Sequence, residues 1–152
     1  GVEVAYPFGH GLTYTDFELS DMKVKRAKGN ITVSCKVTNT GSRAAKQVVQ
    51  LYSTALFPDH ERPLVELRGY YKTPTLNPGQ SKVVEINISN DDLAIFIEEQ
   101  SAWVVPAGDY RLSLGFSSAD LRANKEIFIP TTTVVRKVTD ILKPTDGKLF
   151  IE

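Results

Sequence analysis

Apolar and polar residues alternate with a period of two through most of this chain, and that pattern restricts it to β-structure. Ile31, Val33, Cys35 and Val37 alternate with Thr32, Ser34, Lys36 and Thr38, so one side of this segment is buried and the other wet. The same reading extends in both directions. Phe17 and Leu19, then Met22 and Val24, predict a first strand with a break near Asp21, and Lys28-Gly29-Asn30 predicts a turn. Asn39-Thr40-Gly41 ends the second strand. A third is predicted over 46–53, with Val49 and Leu51 on one side and Val48, Gln50 and Tyr52 on the other. Thr54 to Pro63, with His60 inside it, reads as a longer loop.

Val65, Leu67 and Gly69-Tyr70-Tyr71 predict a further strand, stopped by Thr73-Pro74. The turn Leu76-Asn77-Pro78-Gly79 leads into Val84, Ile86 and Ile88. Cap-type residues in Ser89-Asn90-Asp91-Asp92 predict one helical turn. Trp103-Val104-Val105 is strand-like, and Pro106-Ala107-Gly108-Asp109 turns the chain into Tyr110, Leu112, Leu114 and Phe116. The last strand covers 124–129 and stops at Pro130. About seven short strands separated by turn signals imply an all-β, two-sheet sandwich. Tyr110, opening the penultimate strand, stands where sandwiches place a tyrosine that ties a corner by its hydroxyl.

Both ends depart from this pattern. Tyr6, Phe8 and Tyr14 crowd a Pro7/Gly9/Gly11 turn that also holds His10 and Leu12. Residues 1–15 are therefore expected to be a junction toward a neighbouring domain, with Tyr6, Phe8, His10, Leu12 and Tyr14 as the interface. The sandwich is expected over 16–130. Residues 131–152 form a tail or connector, in which Val134, Val135, Val138, Ile141 and Leu142 fall at helical spacing. Gly1 in place of Met fits a processed or excised chain.

Composition excludes several classes. The 152 residues carry 18 basic and 18 acidic side chains, so nothing invites nucleic acid or an anionic membrane. No apolar run approaches the roughly 20 residues that span a bilayer, and no segment has the order of a signal peptide. Cytoplasmic and secreted locations are both compatible with the sequence. Cys35 is the single cysteine, so an internal disulfide is impossible, and its strand position predicts a small buried apolar residue. Asn30-Ile31-Thr32 and Asn87-Ile88-Ser89 match a glycosylation triplet too short to carry weight.

The search for chemistry returns little. His10 and His60 are the only histidines, one in a turn and one in a charged loop, with no second histidine at ligand spacing. Asp91-Asp92 reads as a helix start and Glu98-Glu99 as a solvated face. Nothing places the carboxyl pair that glycoside cleavage requires, and neither a nucleophile elbow nor a phosphate loop is present. No catalytic residue, metal or cofactor is expected. Tyr70, Tyr71 and Trp103 are candidates for a sugar-contacting platform, although Trp103 between Ala102 and Val104 also suits a core or an interface.

The segment from Tyr6-Pro7-Phe8-Gly9-His10-Gly11 to Phe17 resembles the opening of the C-terminal fibronectin type III-like domain of glycoside hydrolase family 3 enzymes, best known as β-glucosidases. The resemblance continues in order through Val37-Thr38-Asn39-Thr40-Gly41, Val48-Val49-Gln50-Leu51-Tyr52 and Arg62-Pro63-Leu64-Val65-Glu66-Leu67-Arg68-Gly69-Tyr70. It ends with Leu76-Asn77-Pro78-Gly79-Gln80-Ser81, Pro106-Ala107-Gly108-Asp109-Tyr110 and Gly115-Phe116-Ser117-Ser118, covering about residues 6–130. It implies an immunoglobulin/fibronectin type III-like sandwich that packs against a catalytic (β/α) barrel and an α/β sandwich domain carried elsewhere in a parent glycosidase. Neither catalytic motif occurs in this chain. The tail beyond Pro130 departs from the commonest arrangement, and a connector toward a barrel placed after this domain would explain it. A non-catalytic accessory domain is thus the first functional expectation. An autonomous carbohydrate- or surface-binding module is the second.

Overall fold

The computed structural model describes residues 15–56 and 65–138. The junction residues Tyr6, Phe8, His10, Leu12 and Tyr14, the loop histidine His60, and Ile141 and Leu142 of the tail lie outside them. Ten strands run in the order β1 (Phe17–Ala27), β2 (Asn30–Asn39), β3 (Val48–Ala55), β4 (Glu66–Lys72), β5 (Ser81–Ser89), β6 (Ile95–Ile97), β7 (Ala102–Val105), β8 (Gly108–Ser117), β9 (Asp120–Ile129) and β10 (Thr133–Lys137). All pairings are antiparallel. One sheet has the order β1-β2-β5, a second β4-β3-β8-β9, and a small third sheet β10-β7-β6.

The alternating residues do what their spacing demands. Ile31, Val33, Cys35 and Val37 from β2, with Val84, Ile86 and Ile88 from β5, face Val49 and Leu51 from β3 and Tyr110, Leu112 and Leu114 from β8 in one continuous core. The outer edges also approach, β4 beside β5 and β1 beside β9, so the two sheets nearly close on each other. Gly69 permits that approach: a Cβ on it would lie 2.9 Å from Ile86 Cγ2. The break near Asp21 is a bulge. The β1–β2 register shifts between Ser20 and Lys23, and Asp21 has the left-handed φ of 55°. The hydroxyl of Tyr110 donates to the carbonyl of Pro106 at 2.9 Å, the corner tie anticipated for it. The helical turn expected after Ser89 is a 3-10 turn over Asn90–Leu93, opened by the Ser89 amide donating to Asp92 Oδ2 at 2.6 Å, and a second 3-10 turn covers Glu98–Gln100.

One expectation needs correction, and two features add to the reading. The valines of the tail do not form a helix. Thr133–Lys137 is β10, paired with β7 through Thr133↔Val105, Val134↔Val104, Arg136↔Trp103 and Lys137↔Ala102. A bulge at Val135 breaks its alternation, which is why the apolar positions imitate helical spacing. β-branched valines favour the extended form on packing grounds. Strand β6 was not anticipated, because Ile95-Phe96-Ile97 is too short for a period to show. Finally, β3 is buried on both faces: Gln50 and Tyr52 are buried along with Val49 and Leu51, and the Tyr52 hydroxyl donates to Gln50 Oε1.

A buried side chain organises one end of the sandwich. Asn39, at the end of β2, is fully enclosed. Its Nδ2 donates to the carbonyls of Arg43 at 2.7 Å and Leu76 at 2.8 Å. Its Oδ1 accepts from Thr15 Oγ1 at 3.1 Å and from the Gly41 amide at 3.0 Å. Asn39→Ala should take the donor from the Arg43 carbonyl and one of two bonds each from the Leu76 carbonyl, which keeps the Ala45 amide, and the Gly41 amide, which keeps the Asp16 carbonyl, a loss of about 2 kcal/mol. Asn39→Asp should be no milder, because a carboxylate cannot donate to two carbonyls. Urea midpoints measure both, with Tyr110→Phe as the smaller reference at about 1 kcal/mol. Truncation after Pro130 removes the strand that covers the β7 edge and should lower the melting temperature; an unchanged value would show that β10 contributes nothing to this domain.

Candidate binding surfaces

Catalysis of glycoside cleavage by this chain would require two carboxyl groups facing each other roughly 5–10 Å apart across a cleft. Four of the described carboxylates are used otherwise. Glu126 pairs with Arg111 at 3.0 Å, Asp120 Oδ2 with Arg122 Nη2 at 3.0 Å, and Glu66 with Arg68. Asp92 is held by the Ser89 amide. A cleft of about 470 Å³ opens where the β1–β2 turn meets the ends of β5, β7 and β9. Arg26, Lys28 and Asn90 line it, and Asp91 is the single carboxylate among its described lining residues. Arg26 is partly engaged, its Nη1 donating to the Phe128 carbonyl at 2.6 Å. Two cations and one isolated carboxylate can bind polar groups, but they cannot divide the roles of acid and nucleophile. Among the described residues no group of three or more His, Cys, Asp or Glu side chains could hold a metal ion.

Cys35 is the small buried residue that its strand position foretold. Loss of water around it pushes its thiol from an ordinary value of 9.0 up to about 11. The thiol is neutral at physiological pH and unreactive. Its folded-state value lies above the unfolded one, so the neutral thiol's contribution is complete below pH 9 and disappears as pH rises through 11. Two units amount to about 2–3 kcal/mol. Stability measured by urea titration should therefore fall between these pH values by more in the parent chain than in Cys35→Ala.

The three candidate sugar-contacting rings do not make one platform. Tyr70 and Tyr71 are consecutive in β4 and so point to opposite faces. Tyr71 packs against the core, whereas Tyr70 is 70% exposed. Trp103 belongs to the small sheet, not to the sheet of β4. It is 43% exposed, so it lies outside the core, and its ring centre is 5.6 Å from that of Phe96, with the planes inclined by 56°. Phe96 escaped the sequence reading together with β6. The residues Ile95-Phe96-Ile97, uniformly apolar just after a helical turn, were the available signal.

Comparison with known proteins adds context to this geometry. Residues 47–118 match the family model of the fibronectin type III-like domain. The chain is 38% identical over 141 residues to thermostable β-glucosidase B of Acetivibrio thermocellus, a match covering 90% of this chain and 18% of that protein. It is 38% identical over 122 residues to the exo-α-(1→6)-L-arabinopyranosidase of Bifidobacterium longum, covering 80% of this chain and 16% of that one. Among solved structures, β-glucosidase 3B from Thermotoga neapolitana in complex with α-D-glucose superimposes with a TM-score of 0.83 at 37% identity. That match spans 88% of this chain and 18% of the enzyme. The chain thus spans less than a fifth of the length of each of these relatives.

Proposed function

We propose that this chain, a fibronectin type III-like domain of the kind built into family 3 glycoside hydrolases, is a non-catalytic accessory domain of a β-glucosidase-like enzyme and packs against its catalytic domains. One observation carries this reading: nearly the whole chain aligns, at 38% identity, within only 18% of a β-glucosidase. A segment with that relation to an enzyme is a module of it, and the remaining four-fifths has room for the barrel and the α/β domain. The isolated Asp91 in the cleft and the ion-paired carboxylates elsewhere agree with a supporting role.

The same module occurs in relatives named for different reactions, one a β-glucosidase and another an arabinopyranosidase. Sugar choice is therefore set outside this domain, whose contribution is a rigid surface for its neighbours. Purified as 152 residues, the chain should not hydrolyse nitrophenyl β-glucoside or nitrophenyl α-arabinopyranoside above the uncatalysed rate. Turnover that follows the chain through successive purification steps would overturn the proposal.

A further inference from the structure

We infer that the outer face of the small sheet, centred on Phe96 and Trp103, is the surface on which a neighbouring domain of the same enzyme chain is seated. This rests on the functional reading above and adds to it the place of contact. The first argument is the residue pattern. An antiparallel sheet with one wet face shows polar residues on that face, as β2 does with Thr32, Ser34, Lys36 and Thr38. In β6 and β7 the inner positions Ile95, Ile97, Ala102 and Val104 form a buried cluster of their own. The outer positions, where polar residues belong, are Phe96 and Trp103, paired directly across the two strands.

The second argument is where apolar surface accumulates. Eleven large hydrophobic residues are exposed among those described, and Phe96, Trp103, Val134, Val135 and Val138 come from this sheet or the residue following it, Val134 sharing the side of its partner Val104 and Phe96 and Trp103 the outer one. Single exposed hydrophobics need no explanation, but a concentrated group marks an interaction site. Arg136 stands in register with Trp103 on β10, followed by Lys137. Tryptophan and arginine together are typical of the energetic centre of an interface.

The occupant follows from the same observations. Two rings inclined by 56° offer no common plane on which a sugar chain could lie. A protein surface with an apolar centre and a carboxylate opposite Arg136 fits both the rings and the charge. In the relatives about four-fifths of the chain lies outside the matched segment, which supplies such a surface without any need for a second copy.

The test compares Phe96→Ser/Trp103→Ser in the full-length enzyme chain that contains these residues and in the 152-residue chain alone. The double variant should unfold about tenfold faster than the parent in the full-length enzyme. Alone, it should differ from its parent by about twofold at most, as exposed substitutions do. Equal acceleration in both would make these residues part of the domain's own packing, and no change in either would leave the face free; each result overturns the inference. Concentration-dependent dimerisation of the 152-residue chain, lost in the double variant, would assign the face to a second copy and also overturn it. Saturable quenching of Trp103, the only tryptophan, by β-glucan oligosaccharides would assign it to sugar with the same consequence. The functional reading fails separately, if the full-length chain hydrolyses no nitrophenyl glycoside.

Discussion

The buried carboxamide of Asn39 is the constraint on which the architecture turns. A dry interior accepts a polar group only if every lone pair and N–H is used, and Asn39 meets that condition with four partners from three segments of the chain. Thr15 precedes β1, Gly41 and Arg43 follow β2, and Leu76 precedes β5. Its main chain joins in, the amide donating to Gln80 at 3.0 Å and the carbonyl accepting from Gly79 at 2.8 Å. The Ala45–Leu76 bridge lies beside it. Hydrophobic burial would allow the sheets to slide over one another with small loss, since it has no direction. This network has direction, and so it fixes which turn lies above which strand end. Gly41 belongs to the same device: a Cβ there would come within 2.6 Å of the Asp16 amide.

Much of the sandwich could be read from the chain because period-two alternation is a local signal. β2, β5 and the inward residues of β8 are written out residue by residue. The Tyr110 tie was legible as well, since its donor and acceptor are four residues apart. What could not be read depends on distant partners. Asn39 looked like the end of a strand, and only folding brings Leu76 to it. The valines of β10 looked helical because a bulge alters their spacing, and β7, which holds them extended, lies some 30 residues earlier. For the binding surfaces, the sequence named Trp103 but not its neighbours. Phe96 and Arg136 become part of the same surface only through strand pairing.

The division of labour is physical as well as genetic. Several groups that could do chemistry are already engaged: the thiol by burial, Glu66, Asp120 and Glu126 by arginines, Asp92 by a turn amide, and the Tyr52 hydroxyl by Gln50. A support gains from that arrangement, since side chains already engaged have little energy left to respond to a passing ligand. The apolar groups left uncovered are rigid ones on strands, which lose little side-chain freedom when another surface meets them.

The kink in β1 has a consequence for how such a domain survives inside a long polypeptide. β1 is an outermost strand of its sheet, the position at which an unrelated extended segment could add itself during synthesis. The left-handed Asp21 interrupts the regular edge there, and Lys23, Lys25 and Arg26 follow at once. An incoming strand would find neither a straight template nor a neutral one. The local irregularity therefore guards this edge against mispairing with another extended segment.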